Sequence, residues 1–81
     1  MKGTVIMINP RKGFIAVRTD EGVSVIELLG DYSIELEDII SGDLDSCGGE
    51  DLFNETQDEE MDTYIQATGC SNSCIQQLMN P

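Results

Sequence analysis

Histidine and tryptophan are absent from the 81 residues, proline occurs only twice, and the aromatic rings are two Phe and two Tyr. Without an imidazole the chain cannot by itself build a His-ligated metal centre, a His-based triad or a His general acid or base. Positive charge is scarce too: four Lys and Arg stand against sixteen Asp and Glu, a formal net charge of -12. Cations that neutralise phosphate supply most non-specific nucleic-acid affinity, so this balance argues against nucleic acid as the general partner. Long apolar runs are missing as well. Val5-Ile6-Met7-Ile8 ends at Asn9-Pro10-Arg11-Lys12, too short for a signal-peptide core or a membrane span. The three cysteines, Cys47, Cys70 and Cys74, are odd in number and come without an export signal, so the chain reads as cytoplasmic, with no membrane association.

What is present is a globular mixture, 40% hydrophobic and 25% charged, in a chain of 8.9 kDa. A domain of this size removes only about 60% of its unfolded surface from water, which leaves a thin core and little room for an internal active-site cavity. The charges fall into blocks. Residues 1–18 hold all four cations and no acid, residues 19–62 hold all sixteen acids and no base, and residues 63–81 carry no charge. The acids alternate with Ile, Leu, Val and Phe, the pattern of solvated strand faces rather than of a disordered acidic tract.

Strand signals dominate. Gly3 to Ile8 and Phe14 to Thr19 are apolar, β-branched runs around the turn chemistry of Asn9-Pro10-Arg11-Lys12-Gly13, so the first twenty residues predict a hairpin. Asp20-Glu21-Gly22 supplies the next turn and residues 23–29 a third strand. Residues 33–36, 39–44, 51–56 and 62–67 fit further short strands, separated by Gly30-Asp31, Glu37-Asp38, Gly48-Gly49 and residues 57–60. Many short strands at close spacing predict a small closed barrel, because closure removes exposed edges. The expected fold is therefore all-β, a small five-stranded OB-like barrel over residues 1–68 with a tail over 69–81. Within the tail, Ser73 and Gln76 match a capping box, and Ile75, Leu78 and Met79 share one face, which predicts a short helix over 73–79 packed on the barrel.

Met1-Lys2-Gly3-Thr4-Val5, then Asn9-Pro10, then Lys12-Gly13-Phe14 resembles, without a gap, the start of the bacterial cold-shock protein family. The likeness covers about seventeen residues and fades beyond Thr19. It implies a five-stranded OB-type barrel that binds single-stranded RNA or DNA by stacking bases on rings of strands 1 to 3, with lysines meeting phosphate. Most of that platform is absent. Met7 and Ile8 stand at the strand-1 Trp and Phe positions, Ala16 replaces the second ring of the first motif, and Ser24, Ile26 and Glu27 stand where two Phe and a His are expected. Phe14 and Lys12 remain.

Other chemistry is thinly represented. Asp43-Leu44-Asp45-Ser46-Cys47-Gly48 with Asn54 at the twelfth position approaches a calcium loop, but Cys47 replaces an oxygen ligand and Asn54 cannot supply a bidentate carboxylate; a strand-end turn is the plainer reading. Asp58-Glu59-Glu60-Met61-Asp62 reads as a hydrated turn. Three thiols without His need a borrowed ligand to bind zinc, and buried packing is the expected role of all three cysteines. No nucleophile is paired with a base at diagnostic spacing, so the chain is expected to be neither an enzyme nor the holder of a metal or cofactor.

These features predict a non-catalytic OB-fold binding module that contacts an unidentified protein or a second copy of itself, with Met7, Ile8, Ala16 and Ile26 as the contact residues. The alternative is a weak single-stranded RNA- or DNA-binding protein that uses Lys2, Met7, Arg11, Lys12, Phe14 and Arg18. A third reading, an acidic mimic of nucleic acid, requires the carboxylates to line one continuous face.

Overall fold

The computed structural model describes residues 1–79, Asn72 for its backbone only; the last two residues of the expected tail lie outside the described residues. Among the described residues six strands form, β1 (Lys2–Asn9), β2 (Phe14–Thr19), β3 (Gly22–Leu28), β4 (Ile39–Ser41), β5 (Gly48–Asn54) and β6 (Glu59–Cys70), followed by one helix, α1 (Asn72–Met79). They close into a barrel in the order β1-β2-β3-β6-β5-β4, with β4 returning to β1. The expected count of five strands is thus corrected to six, and geometry gives the reason. All six neighbour pairs are antiparallel. A closed ring can alternate strand direction throughout only when the number of strands is even.

Alternation along the strands builds the interior. Val5, Ile15, Val17, Ile26, Ile40, Leu44, Leu52, Met61 and Ile65 point inward and form the main core, with Ile8, Leu28, Tyr32 and Ile34 packed at its margin. β6 is long because it serves two partners, pairing with β5 from Glu59 to Ile65 and with β3 from Thr63 to Cys70. Gly3 marks a tight place in this packing. A Cβ on it would stand 2.5 Å from Val17 Cγ1 and 2.6 Å from the Arg18 carbonyl oxygen.

Residues 33–36, expected as a strand, belong to the loop between β3 and β4. Their amides have other acceptors: Ser33 donates to a Glu59 carboxylate oxygen, Ile34 to the Tyr32 carbonyl and Glu35 to Asp38 Oδ2. A backbone whose donors are taken locally has little left to offer a ladder. Glu59 and Glu60, expected in a turn, lie in β6; the turn is made at Asp58, whose φ is 56°. The helix arrives one residue before its predicted start. Its cap is Ser71, whose Oγ accepts from the Cys74 amide at 3.5 Å, so Ser73 is inside the helix rather than at its cap.

Asp38, Asn54 and Gln57 tie the β3–β4 loop to the end of β5. Asp38 is 2% exposed and Asn54 fully buried. The Asp38 carboxylate accepts from Asn54 Nδ2 at 2.9 Å, from the Glu35 amide at 3.0 Å and from Gln57 Nε2 at 3.2 Å, while Asn54 Oδ1 accepts from the Gln57 amide at 3.0 Å. Burial alone would raise the Asp38 pKa; the hydrogen bonds from Asn54, Glu35 and Gln57 outweigh it and hold the group below its ordinary 3.8.

Candidate interaction face and its helical cover

The outward residues of β2 and β3 are set by register. Phe14 faces Glu27, Ala16 faces Val25 and Arg18 faces Val23. β1 adds Ile6, next to an irregularity between Val5 and Met7 that lets Ile8 return to the core side. An outer face thus forms from Ile6, Phe14, Ala16, Val23 and Val25, and α1 lies across it. Ala16, Val25, Ile75 and Met79 make a second apolar cluster, with Ile6, Phe14, Val23, Cys70 and Leu78 packed around them. The helix presents Ile75, Leu78 and Met79 to the sheet, the face that their spacing predicted.

Asn9 fastens the far end of the helix. It is 5% exposed, donates from Nδ2 to the Met79 carbonyl at 2.7 Å, and accepts at Oδ1 from the amides of Arg11 and Lys12. One side chain therefore shapes the β1–β2 turn and satisfies a helix-end carbonyl. Sequence reasoning treated Asn9 as turn chemistry only, and its partner seventy positions away leaves no local signal. At the near end Cys70, the last residue of β6, is joined to Cys74 by a disulfide with a Cα–Cα distance of 5.4 Å. Cys47 is exposed and free. The expectation that all three cysteines are buried in packing is corrected: none is buried, and two are bonded.

The sequence-predicted residues scatter over this frame. Ile26 lies in the main core and Ala16 beneath α1, both with no exposed surface, so neither offers contact area while the helix is docked. Ser24 also points inward and donates its hydroxyl to the Leu44 carbonyl at 2.6 Å. Of the three β3 positions read as lost platform residues, only Glu27 is on the outer side, held by Gln66 Nε2 at 2.7 Å. Met7 is 41% exposed and Ile8 half-buried.

The four cations form two pairs rather than one positive edge. Lys2 and Arg18 share an open cavity of about 400 Å³ with Thr4, Thr19 and Asp20. Arg11 and Lys12 stand in the turn at the other end of the hairpin, and seven residues of extended strand separate the ends by roughly 23 Å. Beside that turn a groove of about 250 Å³ is lined by Ile8, Pro10, Phe14, Leu28, Tyr32 and Ile34, among others. Tyr32 is fixed there, its hydroxyl oxygen accepting from the Asp62 amide at 2.9 Å.

Carboxylates are spread over the β2–β3 turn (Asp20, Glu21), the β3–β4 loop (Asp31, Glu35, Glu37), the β4–β5 connection (Asp43, Asp45) and the outer side of β5 and β6, where Asp51 directly faces Asp62. Among the described residues no group of three or more Cys, Asp or Glu is arranged to hold a metal ion. Asn54, the twelfth position of the calcium-like stretch, is committed to Asp38 inside the barrel. Among the described residues no helix is long and apolar enough to cross a membrane.

Ala16 is the residue that makes room for the helix. Ala16→Phe is expected to force α1 off the sheet: a ring at this fully buried site occupies the volume now held by Ile75 and Met79, and overpacking of this kind costs about 1–3 kcal/mol. Loss of protection of the α1 amides in hydrogen exchange, with the barrel amides still protected, is the result to look for. Comparison of the chain with family models, curated proteins and solved structures found no match.

Proposed function

We propose that this protein is a non-catalytic β-barrel binding module whose partner is a protein or a second copy of itself. The observation that supports this reading best is the cover on the outer face of β1–β3: Ile75 and Met79 pack on Ala16 and Val25 where the cold-shock resemblance implies a ring platform open to bases. Bases that stack contribute about 1–3 kcal/mol each only on rings they can reach. Exposed apolar side chains lie elsewhere. Met7 is 41% and Leu36 60% exposed, and Leu36 lines an open cavity of about 420 Å³ with Ile6, Arg18 and Glu37. Such side chains beside a few charges suit a protein contact. Sedimentation at rising concentration and pull-down with the full chain test the partner: a complex weakened by Met7→Ser or Leu36→Ser supports the reading, and a strict monomer without a partner counts against it.

The second reading is weak binding of single strands at the turn groove, and it is favoured by Phe14 and Tyr32 lining one cleft next to Arg11 and Lys12. Titration of labelled oligo-dT or oligo-U at low salt distinguishes the two. No saturable binding is expected below about 100 μM, given the net charge of -12. A salt-dependent micromolar complex that disappears with Phe14→Ala would favour the second reading.

A further inference from the structure

We propose that Cys70 and Cys74 form a thiol–disulfide exchange site whose oxidised state clasps α1 onto the β1–β3 face and whose reduction by a small thiol releases the helix. The pair is placed for this role. Cys70 ends β6, Cys74 is in the first turn of α1, and the bond closes the hinge at Ser71, the one residue between strand and helix. Gly69, with a φ of +58°, precedes that hinge in a conformation that suits glycine.

The helix depends on being held. It has eight residues and no charged side chain, and an isolated helix of that length does not persist in water. Its attachments are the Ile75 and Met79 packing, the Asn9 hydrogen bond at the last turn and the disulfide at the first. The Ser71 cap, at 3.5 Å, is long. The bond is therefore a principal tether at the end where the helix begins.

Access separates this pair from an inert structural bond. Cys70 and Cys74 are each only half-buried, so a small thiolate can reach a sulfur from solvent. The thiolate attacks one sulfur of the pair, the S–S bond breaks, and the other sulfur leaves as a thiolate within a mixed disulfide. A second small thiol then displaces the protein sulfur. Protein disulfide and two thiols become protein dithiol and one small-molecule disulfide, with the two protons of the small thiols passing to Cys70 and Cys74. A small-molecule disulfide drives the reverse reaction and restores the clasp.

The experiment uses the full chain carrying Cys47→Ser, so that exchange involves this pair alone. Alkylation and mass spectrometry of the air-oxidised protein should leave Cys70 and Cys74 unmodified, and both should react after treatment with a small dithiol. Hydrogen exchange of the 75–79 amides should then accelerate by about tenfold, while the core strands are unchanged, because local opening is governed by the tether and not by the barrel. Free thiols at Cys70 and Cys74 in the oxidised sample, or acceleration of less than about twofold on reduction, overturns the proposal. The Cys70→Ser/Cys74→Ser form should exchange at the reduced rate and ignore the dithiol; if it fails to fold, the comparison of oxidised with reduced protein decides alone.

Discussion

Asn54→Ala is expected to destabilise the barrel by about 2–3 kcal/mol in urea denaturation, one of the largest effects of any single polar substitution in this chain. Asn54 is fully buried and serves two partners, donating to Asp38 Oδ2 and accepting from the Gln57 amide. Its removal leaves a carboxylate that is 2% exposed with one donor fewer, and a buried acceptor without its donor costs more than the bond itself contributes. The variant should also change the response to acid. In the native protein Asp38 has a lower pKa folded than its ordinary 3.8, so its contribution is fully present above that value and is lost as the pH falls through the folded value. With Asn54 gone the folded pKa rises toward or past the unfolded one, and the acid unfolding midpoint moves upward. Urea titrations at pH 7 and near pH 3.5 check both statements: the difference between native and variant should be large at the first and shrink at the second.

Gly3→Ala is expected to cost about 1–3 kcal/mol, although it adds a single methyl to a strand. That methyl meets Val17 Cγ1 at 2.5 Å and the Arg18 carbonyl oxygen at 2.6 Å. A side chain could turn away, but a backbone carbonyl cannot, so β1 must shift against β2. The movement reaches Ile40, the partner of Gly3 on β4 and part of the core. Gly49→Ala is the control. Nothing lies within 4 Å of the new Cβ, and the change should be within about 1 kcal/mol of neutral. Equal losses at the two positions would count against the contact at Gly3 as the cause, because backbone entropy by itself favours Ala over Gly.

The hairpin of β1 and β2 was legible because every signal in it is local. Val5, Ile15 and Val17 recur with period two and the turn carries Asn9-Pro10 and Gly13. The helical tail was legible for the same reason, through the spacing of Ile75, Leu78 and Met79. The strand number was not. Residues 33–36 have the composition of a strand, but three of their amides are claimed by Glu59, Tyr32 and Asp38, the first of them 26 positions away and the other two through the fold of the loop itself.

The candidate face was half legible. Ala16 stood out as a small residue in an apolar strand, and the helix stood out as an apolar stripe without a home; that each is the other's partner is tertiary information. The cold-shock resemblance puts Ser24 and Ile26 at positions of the aromatic platform, whereas strict alternation from Val25 sends both inward. The tie from Asn9 to the helix has no local signal, since it acts across seventy positions; the four-residue spacing of Cys70 and Cys74 allows a redox pair as well as buried packing, and which of the two forms depends on where β6 ends.

A methyl-detected NMR titration of the full chain with oligo-dT tests the sealed face most directly. If α1 covers it, the Ala16 and Val25 methyls show cross-peaks to Ile75 and Met79 before the oligonucleotide is added, and neither the cross-peaks nor the shifts change as it is added. Saturable shifts at Ala16 and Val25, with loss of the contacts to Ile75 and Met79, would contradict it and return the face to single-stranded nucleic acid.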